Sequence, residues 1–329
     1  MLHHLKCIMM LYKNTFKLIL TDLVNEPGHL NWTVRFLKIL DERDIAFVSW
    51  ISKKYLNGEN RIGSNLTVIL IKYILAALKL CTQSYFVRDK TIFVATFHNI
   101  QIPILRYLAS RKNNYICQIT NNLDGKKYIT NLCNMPSFIN FSAFEKYISD
   151  EVKENFNSHC HFIPHPKRLS VTNNRKLKNI LLIFGNKLNS EDINILYQKY
   201  SNFDVYLQVG THEYDNDHCG NKLHTIKHLT NKDYDYYLTN VEYVFVNKKY
   251  DLRISGIVHE ALSADNHVLM RSCMLQRHYE QMGYFVTKFN EANDQKLQYQ
   301  KPKVSSFQQA YEDANIVLSL MNAIYAINN

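Results

Sequence analysis

Glycine and proline are scarce in this chain, nine and six among 329 residues. So few chain breakers exclude collagen-like, low-complexity and linker-dominated architectures. The nine glycines are expected where the backbone needs a positive φ or a close approach. The seven cysteines, at positions 7, 81, 117, 133, 160, 219 and 273, are odd in number and form no C-x-x-C pair. Neither a disulfide framework nor a zinc ribbon is indicated, and a reduced, intracellular, cytoplasmic protein is expected. No G-x-G-x-x-G run is present, which argues against NAD. No block of like charges marks a nucleic-acid tail, since clusters such as Lys126-Lys127 and Lys248-Lys249 are short and scattered. The N-terminal stretch MLHHLKCIMMLYKNTFKLIL disperses basic residues through its apolar run and has no small-residue cleavage site, unlike a signal peptide. The most apolar window, Leu66 to Leu80, is broken by Lys72 and Lys79 and falls short of the ~20 residues that span a bilayer, so no transmembrane helix is expected.

What is present describes a folded protein: 46% hydrophobic residues, 21% charged, and a net charge of +10. At roughly 150 residues per domain the length favours two domains. The positive balance suits phosphorylated small molecules, an anionic membrane surface or nucleic acid, without choosing among them.

Short β-like runs alternate with helix-like stretches from end to end, the pattern of parallel sheets covered by helices on both faces. In the first half the strands are expected at residues 17–22, 46–51, 91–97, 115–119, 138–141 and 161–163. A loop over 24–30 precedes a helix over 32–40; further helices fall at 66–80, at 102–111 and from about Ser142. A polar stretch, residues 167–178, follows Pro164-His165-Pro166 and marks a domain boundary. Strands then recur at 179–184, 203–208, 242–247, 267–270 and 284–288. Helices are expected at 190–200, 232–239, 255–264, 274–282 and 305–327. The fold class is α/β, two Rossmann-like doubly wound domains over residues 1–166 and 167–329, with the last helix packing back on the first. Such sheets bind ligands at the carboxyl ends of their strands, in the cleft two such domains leave.

Candidate functional residues lie just after strands. After the first strand, Gly28 sits in the strand-to-helix loop and His29 at the edge of the following helix, where a helix N-terminus suits an anion or a polarised hydroxyl. His98 follows the strand TIFVATF; a neutral imidazole at either position can take a proton from a hydroxyl nucleophile. In the second half, Gly185 and Lys187 follow a strand and could contact a phosphate. Ser255 is the expected cap of a helix that Gly256 opens, and Arg253 adds charge beside it, forming a seat for a diphosphate. Glu260, between one and two turns into that helix, can accept hydrogen bonds from a ribose.

The run SGIVHEALSADNHVLM resembles the nucleotide-sugar-binding segment of GT-B glycosyltransferases, those similar to families 1 and 4 of bacterial-type glycan biosynthesis. GHLNWTVRFLKIL after the first strand, TFHN at a later strand end and FIPHP entering the linker resemble the same architecture in order. The resemblance implies an N-terminal acceptor-binding domain and a C-terminal domain for a UDP- or GDP-linked sugar. It further implies hexosyl transfer to a glycan or lipid-linked acceptor, as in polysaccharide biosynthesis, with no cofactor and no metal. The sequence departs from the family in two places. Retaining members often pair two glutamates eight positions apart, and here Leu252 stands at the first, with Asp251 beside it. The usual arginine near Gly185 and Lys187 is also absent, for which Arg253 could compensate. Asp215-Asn216-Asp217 reads as a solvated turn. No nucleic acid is expected as a partner, and peripheral contact with an anionic membrane through the helix at 66–80 is considered. Two alternatives stand beside the transferase: a sugar-nucleotide epimerase of the same architecture, and a basic module binding nucleic acid or a membrane surface.

Overall fold

The computed structural model describes residues 18–24, 27–57, 66–120, 123, 132–166, 177–184, 188, 190–199, 204–208, 223–226, 231–289 and 311–328. The chain divides into two compact units, residues 1–166 with 311–329, and residues 167–310.

The first unit is built on six parallel strands: β1 (Leu18–Thr21), β2 (Phe47–Ser49), β3 (Thr91–Val94), β4 (Asn114–Ile119), β5 (Ile139–Ala143) and β6 (Cys160–Phe162), in the order β2-β1-β3-β4-β5-β6. LILT in β1 and TIFV in β3 are buried at every position. That continuous burial, rather than alternation, is what helices on both faces impose on a central parallel strand. The edge strands β2 and β6 are three residues long and partly exposed, which limits pairing with other chains.

The helices of this half are α1 (Pro27–Glu42), α2 (Lys53–Leu56), α3 (Leu66–Ser84), α4 (Gln101–Leu108) and α5 (Lys146–Phe156). The short α2 was not expected from the sequence, and three others are placed differently from the expectation. Helix α1 begins at Pro27, because proline's fixed φ and missing N–H suit the first helical position; Gly28 therefore lies in its first turn rather than in a loop, and His29, expected at the helix edge, lies in that same turn. Ser142 belongs to β5, where its hydroxyl donates to Gln118 Oε1 at 2.8 Å, and α5 starts at Lys146 instead. Helix α3 runs 19 residues, long and apolar enough to cross a membrane by length and composition. The strands on either side of it, β2 and β3, both pair with β1, so α3 is a crossover helix whose two ends stay at the sheet.

The second unit carries β7 (Leu177–Phe184), β8 (Asp204–Gln208), β9 (Leu223–Ile226), β10 (Val241–Val246), β11 (His267–Met270) and β12 (Val286–Lys288), all parallel, in the order β12-β11-β10-β7-β8-β9. Its helices are α6 (Ser190–Lys199), α7 (Asn231–Asn240), α8 (Gly256–Ser263) and α9 (Met274–Gln281). The final helix, α10 (Asp313–Asn328), belongs to the first unit. It buries Ile316, Leu320 and Ile324, pairs Asp313 with Arg35 at 2.6 Å, and follows Tyr311, whose hydroxyl donates to the buried Glu145 at 2.7 Å.

Glycine scarcity has a visible structural counterpart. Left-handed backbone falls to Asp44, Asp89, Asn134, Asn157 and Asp265, with Gly283 at φ 71° and Gly256 outside that region. Asn and Asp are the side chains that tolerate this conformation best. Cys81, Cys117, Cys160 and Cys273 are free thiols. Burial pushes Cys117 and Cys160 up to about 12, which leaves them inert at neutral pH.

Candidate functional site

In each sheet the strand order reverses at one place, and ligands of doubly wound sheets bind at that switch point, beyond the carboxyl ends of the strands. In the first unit it lies between β1 and β3, since β1 leads outward to β2 and β3 leads the other way to β4. The loops after these strands are stitched together. Ala95 N–H donates to Thr21 O at 2.8 Å and Leu23 N–H to Thr96 O at 3.0 Å. The buried Asp22 accepts from the Thr96 hydroxyl and from Val24 N–H. Gln101, fully buried, donates to Leu23 O at 3.1 Å and to Tyr73 O at 2.7 Å, while accepting from His98 N–H at 2.7 Å.

This frame holds the two candidate histidines on neighbouring strand ends. His29 is half-buried in the first turn of α1. His98, also half-buried, sets its ring against Tyr73 at 5.2 Å, and its Nδ1 accepts from Ile100 N–H at 3.3 Å. A neutral imidazole that accepts at Nδ1 carries its proton on Nε2. His98 thus stands as a hydrogen-bond donor, and acting as a base at Nε2 costs it the Ile100 bond. Beside it, Asn99 is 6% exposed and its Oδ1 has no hydrogen-bond partner. A buried acceptor left in that state is costly by about 1–3 kcal/mol and ready for a donor from a ligand.

In the second unit the switch point lies between β7 and β10. Four of the residues predicted to hold the donor, Arg253, Ser255, Gly256 and Glu260, lie on the segment after β10. Ser255 caps α8, its Oγ accepting from Val258 N–H at 3.3 Å, and its carbonyl accepts from His259 N–H at 3.1 Å. Of the four N–H groups that a helix start leaves without intrahelical partners, those of Gly256 and Ile257 remain for solvent or ligand. Gly256 is exposed, and a Cβ built there meets nothing within 4 Å. The space a ligand needs is therefore open, although the backbone itself does not demand glycine.

Around this helix start the side chains diverge. Glu260, half-buried, accepts from the Tyr234 hydroxyl of α7. His259, one residue earlier, turns into the core and meets Tyr279 OH at 2.8 Å. Arg253 lays its guanidinium over the Tyr250 ring at 4.7 Å and donates to Lys249 O at 3.4 Å, so its charge belongs to the loop's own fold in this state. Asp251 Oδ1 accepts from Met274 N–H at 2.9 Å, serving α9 beside the position where a first acid of a pair is missing. Gly185, Lys187 and the run 215–217 lie outside the described residues. Among the described residues no three His, Cys, Asp or Glu side chains gather as a metal cluster.

Sequence reasoning missed Arg271. It follows β11, donates through Nε to Asn247 Oδ1 at 2.7 Å and pairs with the buried Asp192 of α6 at 2.5 Å, tying together the ends of the central strands. Its partner Asp192 is 79 positions away, so no local pattern announces the pair. Tyr234 was missed for the same reason.

No protein-family model matches the chain, and no curated protein matches it in sequence. Solved structures match it in fold over nearly its whole length. One is AviGT4, a glycosyltransferase involved in avilamycin A biosynthesis, with a TM-score of 0.57 at 10% identity, covering 95% of this chain and 97% of that one. Another is HepE of Anabaena in complex with UDP and glucose, TM-score 0.51 at 11% identity over 95% and 97%. A third is the UDP-GlcNAc 2-epimerase of Neisseria meningitidis bound to UDP-GlcNAc, TM-score 0.51 at 11% identity over 96% and 100%. What is shared at such identity is the architecture: the chain has the two-domain GT-B fold, found in glycosyltransferases and UDP-GlcNAc 2-epimerases alike.

Proposed function

We propose that the protein is a glycosyltransferase that takes a hexose from a UDP- or GDP-linked donor and passes it to a glycan or lipid-linked acceptor without a metal ion. The observation that carries this reading is the segment Asn247–Glu260 at the second switch point. It joins an open, Ser255-capped helix start to a carboxylate one turn on. The two N–H groups there, with the dipole of α8, suit a diphosphate leaving group whose charge grows in the transition state. Arg253 or Lys187 would add positive charge to it. Glu260 would accept the ribose hydroxyls. In the first unit, His29 or His98 would face the acceptor hydroxyl, one as base and the other as donor.

The fold likeness to a UDP-GlcNAc 2-epimerase gives the rival reading, an epimerase that needs no acceptor. NMR of UDP- and GDP-sugars incubated with the protein separates the two. A transferase without acceptor releases free sugar and nucleoside diphosphate slowly and forms no isomeric nucleotide sugar. Accumulation of an epimeric nucleotide sugar would establish the rival instead, and donors left wholly intact, with or without glycan and lipid-linked acceptors, would refute both.

A further inference from the structure

Helix α3, LTVILIKYILAALKLCTQS, contains no acidic residue. At 100° per residue it has two apolar sides instead of one. Tyr73, Ala77 and Leu80 are buried toward the sheet. Val68, Ile71, Leu75 and Leu78, spaced at i, i+3, i+7 and i+10 on the opposite side, are 44%, 52%, 59% and 38% exposed. A helix covering a sheet in a water-surrounded protein puts polar groups there. At its end, Ser84 of α3 is tied to the loop after α4 by Ser110 N–H at 3.2 Å and Asn113 Nδ2 at 2.8 Å. Phe86 in the turn and Tyr107 on α4 stand 85% and 77% exposed near this junction.

The charge of this stretch of chain is mostly of one sign. Residues 66–112 hold seven Lys and Arg against a single acid, Asp89, and so carry six of the chain's ten net positive charges. Lys72 and Lys79 are exposed on α3 itself. Lysines are depleted from protein–protein interface cores, whereas at a bilayer their stems lie along the acyl boundary and their ammonium groups reach the phosphates. The crossover geometry keeps both ends of α3 at one sheet, so the helix lies along a membrane rather than through it. We propose that the outer face of α3, with Phe86 and Tyr107, docks on an anionic phospholipid surface, its aliphatic stripe entering the headgroup boundary and its lysines meeting lipid phosphates.

Sedimentation of the full chain with vesicles tests this, and needs no nucleotide. The protein is expected to pellet with phosphatidylcholine–phosphatidylglycerol vesicles and to stay in solution with phosphatidylcholine alone. Replacing both lysines, K72Q with K79Q, removes two surface charges and should weaken binding about 30-fold. I71S with L75S should abolish it while melting temperature and donor binding stay as in the wild type, since these side chains are already exposed. Recovery of the wild type in the supernatant with anionic vesicles overturns the proposal. So does a doubled mass by light scattering that I71S with L75S returns to that of one chain, for the face then receives a second copy. Donor titration of the same samples reads the glycosyl-transfer proposal separately.

Discussion

Glu260 and Tyr234 meet through one hydrogen bond between helices, and that bond fixes where the carboxylate can point. Ribose contacts form in ground and transition states alike, so Glu260→Ala should raise the donor KM with kcat little changed. Tyr234 acts through Glu260: Y234F should raise the donor KM by about tenfold, the scale of one hydrogen bond to a charged group. Steady-state kinetics with varied donor checks both, and a loss confined to kcat would place Glu260 at the reacting atoms instead. For the histidines, the hydrogen bond from Ile100 to His98 Nδ1 makes the two positions unequal. If His29 is the base, H29A should lower kcat by about 10²–10⁴-fold, while His98→Gln, which keeps a donor, should retain more activity than His98→Ala. Near-wild-type turnover in both H29A and H98A would exclude a histidine base.

At the scale of elements, the start of α8 makes a claim separable from its stability. Since a Cβ at Gly256 meets open space, G256A should leave the melting temperature unchanged or raise it, alanine being better in a helix by about 1 kcal/mol. A larger side chain, as in G256L, should fold equally well and block the donor. Donor affinity unchanged in G256L would show that the diphosphate sits elsewhere. The strand ends that carry these residues were legible because buried parallel strands are continuous apolar runs: VEYVFV in β10 and TIFV in β3 stand out in the sequence. The cap at Ser255 was legible too, as a local pairing between a side chain and an N–H three residues on. The start of α1 was placed late, at 32 rather than at Pro27, although a proline at the first helical position opens a helix. Strand β9, LHTI at a sheet edge, was missed because an edge strand needs little apolar signal. Tyr234, Arg271 and Asn99 were not legible as site residues, for their meaning comes from partners brought by the fold or, for Asn99, from a partner withheld.

For the molecule as a whole, both units carry a histidine that burial holds neutral: His161 in the first and His267 in the second, each lowered to about 4. The unfolded chain takes up these protons near the ordinary value of about 6.5, so the stability from keeping both rings neutral is complete above that pH and is lost as pH falls from 6.5 toward 4. Melting temperature should therefore drop over that window, and H267Q should flatten the drop. An undiminished slope in H267Q would mean the ring titrates normally. Binding of a nucleoside diphosphate at the second unit's switch point is tested most directly by calorimetric titration of UDP, GDP and their sugar conjugates into the wild type and E260A. The expected result is saturable binding of one nucleotide class by the wild type, clearly weakened in E260A. Absence of binding to every nucleoside diphosphate and nucleotide sugar, or equal binding by E260A, would contradict it.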